Sequence, residues 1–157
     1  MKIVIVAIGK TTTKYIAQGI DHYLDRLKHY IPVEPIVLPD IKSTRSLTAD
    51  KQKSMEGEQI LSLLRSGDQL ILLDERGKQP SSREFAKNIE QLMNQGLKRV
   101  VFAIGGPYGF SEEVYRRADA MLSLSRMTLT HEMVRLFFVE QIYRAMTILR
   151  GEPYHHD

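Results

Sequence analysis

The sequence predicts an α/β domain built on a mostly parallel β-sheet with helices on both faces. Strand-like and helix-like stretches alternate along the whole chain, with no internal repeat and no low-complexity segment. Apolar runs such as RVVFAI at 99–104 leave no polar face, which suits strands covered on both sides. Glycine-bearing loops follow these runs, and in parallel sheets ligand sites gather at such strand ends. At 157 residues the chain is one domain, long enough to bury a real core.

Residues 2–9, KIVIVAIG, are short, apolar and β-branched, and predict a central strand bounded by glycine. The period then changes. Tyr15, Ile16, Gly19, Ile20, Tyr23, Leu24, Leu27 and Tyr30 recur at helical spacing, and Pro32 ends the helix they predict. Residues 33–38 predict a second strand in which Pro35 lacks a ladder donor, so it should lie at an edge or be irregular. Residues 40–50 read as polar linker; Lys42, Arg45, Lys51 and Lys53 in or after it either touch RNA phosphates or form a solvated loop. A helix over 49–65 follows, closed by Gly67.

Residues 68–74, DQLILLD, predict the third strand, opening into a polar loop at Glu75, Arg76, Gly77 and Lys78. Ser81 with Glu84 is a capping box, and Phe85, Ile89, Leu92 and Met93 mark the apolar face of the helix it starts. After Gly96 comes the fourth strand and its loop, GGPYG, in which three glycines within five residues admit a ligand to the backbone or simply make a tight turn. Ser111 is a helix N-cap, and the carboxylates of Glu112 and Glu113 beside it would repel phosphate, so the expected ligand is not phosphate-rich. Residues 120–124 predict a short fifth strand and 125–130 a loop before the last helix, 131–150.

That last helix carries apolar residues nearly all round, more than its own sheet covers, so a second copy of the chain is the expected partner. Arg135 falls on its most apolar side, where it needs a carboxylate or an anionic substrate, or else snorkels to the rim. The chain closes on Pro153, Tyr154, His155 and His156, a stiff tail that either reaches a site or is a solvated end.

Composition narrows the chemistry. Lysine and arginine total 22 against 19 acidic residues, a net charge of +3 that permits a nucleic-acid partner without demanding one. With no cysteine there is no disulfide, thiolate nucleophile or cysteine-ligated zinc. The N-terminal apolar run is only strand-long, which argues against a signal peptide or membrane span and makes the cytoplasm the expected location. Neither a phosphate loop nor a carboxylate metal cluster is visible, so no metal is expected.

Taken together, IGGPYG after a strand, LSLSRMTLTH before the last helix, VRLFFVEQIYRA within it and the terminal PYH resemble the RlmH family of SPOUT methyltransferases, with similarity over essentially the whole chain. The resemblance implies a single SPOUT domain over 1–157 with a C-terminal trefoil knot and a homodimeric active site. It implies methyl transfer from S-adenosyl-L-methionine to N3 of a pseudouridine in 23S ribosomal RNA, in the helix 69 region on the assembled 70S ribosome. The family's cofactor site carries over to Leu73, Gly105, Leu124, Ser125, Arg126, Met127, Thr128 and Leu129. This cofactor has a cationic sulfonium, an amino-acid end and an adenosine but no phosphate, which agrees with the acidic helix start.

For the chemistry, His155 is the candidate base or proton relay and Tyr154 stacks on or orients the uracil. Arg144 and Arg135 bind phosphate or polarise a carbonyl. Glu140, one turn before Arg144, also makes a plain helix ion pair with it possible, and His131 reads as structural. The residues from Lys42 to Lys53, with Arg76 and Lys78, form the expected RNA surface. The competing reading is a non-catalytic nucleotide- or cofactor-binding, ribosome-associated module, which would not need Tyr154 and His155.

Overall fold

The computed structural model describes residues 1–42 and 46–156. Its order is β1 (Lys2–Ile8), α1 (Lys14–Leu27), β2 (Val33–Leu38), α2 (Ala49–Leu63), β3 (Gln69–Lys78), α3 (Ser82–Asn94), β4 (Arg99–Ile104), α4 (Glu112–Arg117), β5 (Ala120–Leu122) and α5 (His131–Leu149). The five strands pair in parallel in the order β2-β1-β4-β3-β5. β2 is an edge strand, and Pro35 sits opposite Ile5 with its missing donor harmless at that position.

Alternation along the strands makes two cores. Ile3 and Ile5 of β1, with Phe102 of β4, face α1, α3 and α5 and pack on Leu27, Ile89 and Phe138. Val4, Val6, Leu70, Leu72 and Val101 face α2 and α4 and meet Ile60, Phe110 and Val114. The predicted capping box at Ser81 and Glu84 is formed in both directions. Ser111 occupies the N-cap position of the six-residue α4 without a side-chain cap bond.

Three expectations change. The segment expected as a polar loop after Asp74 is strand: β3 runs on to Lys78, whose carbonyl accepts from Ser123 N at 2.8 Å, with a register shift between Leu73 and Lys78 against β5. Gly77 permits this, because a Cβ there would lie 2.5 Å from Leu122 N and 2.6 Å from the Met121 carbonyl carbon. Such a close crossing of 77–78 by 121–123 is consistent with a knotted C-terminal half.

The apolar α5 is covered on two flanks by its own chain, α1 on one side and α3 on the other, so its composition does not by itself demand a second copy. Arg135 does not snorkel, and it makes no ion pair with a carboxylate among the described residues. It is 5% exposed and donates to the carbonyls of Ile8 (2.5 Å) and Gly9 (2.7 Å) and to Thr11 Oγ1 (3.0 Å). It thereby satisfies the end of β1, and a role in binding phosphate or polarising a substrate carbonyl does not follow from this placement.

One turn earlier, the Glu132 carboxylate accepts from the backbone and hydroxyl of Thr12 (2.8 and 2.9 Å) and from Thr13 N (3.1 Å), just before α1. These bonds, the Thr12 amide first, hold its pKa down at about 2. Among the described residues no helix is long and apolar enough to cross a membrane.

Candidate active site

Five backbone segments converge at the C-terminal ends of β3 and β4 on a cavity of about 700 Å³. The chain past β4 contributes its wall because Gly105, Gly106 and Gly109 carry no side chains. Gly109 turns at φ +78° and donates to the Gly106 carbonyl at 3.1 Å, closing the GPYG turn. The opposite wall is the 123–129 loop. Ser125 Oγ there accepts from Met127 N at 2.9 Å, and Ser123 Oγ, itself buried, donates to the Ser125 carbonyl at 3.2 Å. Thr130 caps α5 by accepting from Met133 N at 3.3 Å.

All eight residues expected at the cofactor site, Leu73, Gly105, Leu124, Ser125, Arg126, Met127, Thr128 and Leu129, line this one cavity. Sequence reasoning missed others. His131, read as structural, stands at its edge as the first residue of α5. Arg76, expected on an RNA surface, lines it with Asp74 and Tyr115. Nothing local in the sequence joins β3 to a tyrosine on α4, so that grouping had no signal.

Behind the glycine loop, on the α2 side, lies Glu56, 3% exposed. Its Oε1 accepts from Gln52 at 2.9 Å, while Oε2 has no hydrogen-bond partner among the described residues. A Cβ on Gly106 would sit 2.3 Å from that Oε2, so the carboxyl fills the space a side chain at 106 would need. Burial pushes the Glu56 pKa up and the charge of Asp40 adds to this, against the bond from Gln52.

The expected catalytic residues stand elsewhere. Arg144 Nη2 donates to Glu140 Oε1 at 2.6 Å, and Tyr154 Oη donates to the same oxygen at 3.0 Å. The Arg144 guanidinium lies 4.8 Å from the centre of the Tyr154 ring, whose edge-on neighbour is Tyr143. Arg144 Nη1 is 3.3 Å from His155 Nδ1. The tail is thus docked, not loose: Tyr154 Oη also meets Tyr23 Oη at 3.3 Å, and Tyr30 donates to Glu152 at 2.5 Å. Burial, with the bonds to Tyr23 and Glu140, pushes the Tyr154 pKa up, so its hydroxyl stays protonated.

None of Arg144, Tyr154 and His155 lines the cavity; along α5, Arg144 lies about 20 Å beyond His131. A single chain does not bring the two groups together. Of the basic residues expected to hold RNA, Lys53 pairs with Asp50 at 3.2 Å, and Arg45 lies outside the described residues.

The sequence matches the family profile described as "Predicted SPOUT methyltransferase" over residues 1–155. It is 58% identical over 156 residues to the ribosomal RNA large subunit methyltransferase H of Christiangramia forsetii, covering 99% of each chain. It is 54% identical to the protein of that name from Parabacteroides distasonis and 50% identical to that from Bacteroides thetaiotaomicron, each over the full length of both chains. A fully parallel sheet, a profile match over residues 1–155 and full-length relatives of 50–58% identity agree: the chain belongs to the SPOUT methyltransferase family.

Proposed function

We propose that this chain is an S-adenosyl-L-methionine-dependent methyltransferase that methylates N3 of a pseudouridine in 23S ribosomal RNA, in the helix 69 region of the assembled ribosome, acting as a cytoplasmic homodimer. The observation that carries the reading is the gathering of Leu73, Gly105 and the 124–129 loop around one cavity of nucleoside size. Its walls are largely backbone and small or apolar side chains, with Asp74, Glu75 and Arg76 on β3 and Arg126 on the 123–129 loop. That donor set fits an uncharged adenosine and a zwitterionic amino-acid end rather than a polyphosphate. When bound, the cofactor supplies an activated methyl group on a sulfonium.

The protein must then align the target nitrogen, remove its proton and exclude water. Arg144 and Tyr154 hold each other through Glu140, so both are presented in fixed orientation to the uracil. A guanidinium has no acceptor, so in its contact with Arg144 the His155 ring accepts at Nδ1 and, when neutral, carries its proton on Nε2. Proton removal by His155 therefore needs that contact to be exchanged as substrate binds. The homodimer rests on two features: the separation of cavity and tail within one chain, and the exposed Tyr108, Met121, Met127 and Phe137. A partner tail laid across the cavity mouth would cover apolar surface and complete the site.

Incubation with radiolabelled S-adenosylmethionine and, separately, free 23S RNA, 50S subunits and 70S ribosomes tests this, with the modified nucleotide located by mass spectrometry. Label on pseudouridine N3, strongest with 70S particles, is the expected result. A binding module of the competing kind would transfer no label, and deleting residues 154–156 would leave its ligand binding intact.

A further inference from the structure

Arg76, Asp74 and Tyr115 form a built arrangement on the cavity wall whose individual roles the family motifs and the reading above leave unassigned. Tyr115 Oη donates to Asp74 Oδ2 at 2.5 Å, while Arg76 donates to Asp74 Oδ1 twice, from its backbone N at 2.9 Å and from Nε at 3.2 Å. The Arg76 guanidinium lies 4.2 Å from the centre of the Tyr115 ring, whose edge is braced by Phe110 at 5.7 Å. One residue thus fixes an arginine by stacking and a carboxylate by hydrogen bonding. Burial alone would raise the Asp74 pKa, but the bonds from Tyr115 and Arg76 outweigh it, so the carboxyl stays ionised.

Nε is committed to Asp74, which leaves the Nη edge of the fork for a ligand; the side chain is 60% exposed. The fixed arginine and fixed carboxylate sit side by side at a cavity of ligand size. A phosphate brings only negative charge, and Asp74 and Glu75 next to Arg76 oppose it. A ligand carrying a carboxylate and an ammonium on one carbon matches both signs at once.

We propose that Arg76, held by Tyr115 and Asp74, receives the α-carboxylate of the cofactor's amino-acid end, with Asp74 facing its ammonium, and so selects cofactor over nucleosides that lack that end. This rests on the cofactor assignment made above. Titration calorimetry tests it with two thioether ligands: S-adenosylhomocysteine, and 5′-deoxy-5′-methylthioadenosine, which has the same nucleoside but no amino-acid end.

Wild-type protein should prefer the first. Arg76→Gln should weaken S-adenosylhomocysteine about tenfold, as expected for losing one half-exposed charged contact, and leave methylthioadenosine unchanged. Tyr115→Phe, which keeps the ring and releases Asp74, should narrow the preference in the same direction. Unchanged melting temperatures would show both variants folded. Equal weakening of the two ligands, or none, overturns the proposal; unchanged cofactor binding with weaker RNA binding would assign Arg76 to a phosphate instead. If the wild type binds neither ligand, the cofactor assignment itself falls.

Discussion

The carboxylate of Glu132 lies 2.8 Å from the amide nitrogen of Thr12, 120 residues earlier in the chain, and supplies the acceptor that the first turn before α1 lacks. Its folded-state pKa of about 2 is below the ordinary 4.5. A depressed carboxylate contributes stability that is present above pH 4.5 and is lost as pH falls towards 2. Glu132→Gln should lower the melting temperature at pH 7 and make its decline between pH 5 and pH 2 shallower than in the wild type, as read by circular dichroism across that range.

Gly77 faces the backbone of Met121 and Leu122, which cannot move as a side chain tip does. Gly77→Ala should therefore destabilise by about 3 kcal/mol, at the upper end of ordinary overpacking. Urea denaturation measures this, with Gly67→Ala as a comparison at a turn where a Cβ meets nothing within 4 Å but φ is +83°.

S-Adenosylmethionine and S-adenosylhomocysteine should raise the melting temperature, while ATP and NAD should not, because the cavity has no phosphate cradle. Gly105→Val should abolish that rise. A Cβ at 105 would also press the buried Phe110 ring at 3.2–3.3 Å, so the variant's own melting temperature should drop, and binding must be compared below it.

Because Arg144, Tyr154 and His155 do not line the cavity of their own chain, complementation separates the two halves of the proposed site. Gly105→Val and His155→Ala proteins should each be nearly inactive. After subunit exchange, verified by native mass spectrometry, heterodimers should regain part of the methyl transfer, since one of their two sites has both halves intact. Heterodimers as inactive as the parents would mean that each site is built within one chain.

The local signals were the ones legible in the sequence. The Ser81–Glu84 capping box, the edge position that Pro35 forces on β2, and the two-sided burial of β1 and β4 each depend on a few neighbouring residues. The extension of β3 was not legible, since ERGK has no strand pattern and is extended only because Ser123 and Leu122 pair with Lys78. The partner of Arg135 was equally hidden: helical periodicity placed it on the apolar side, but the carbonyls it serves lie 126 and 127 positions away. Around the cavity, motif resemblance reached the glycine loop and the 124–129 loop. The joining of Arg76 to Tyr115 arises from strand and helix packing that no motif records.

The bonds of Glu132 and Arg135 also tie the two ends of the fold together. The carbonyls at the end of β1 and the Thr12 amide of the turn into α1 are met by Arg135 and Glu132 of α5, 120 to 127 positions later. The β1 edges wait for β2 on one side and for the distant β4 on the other. Such long loop closures make native contacts late and slow to form. α5 is consequently part of what completes the first strand: an undocked α5 would leave the end of β1 and the turn into α1 with unmet polar groups.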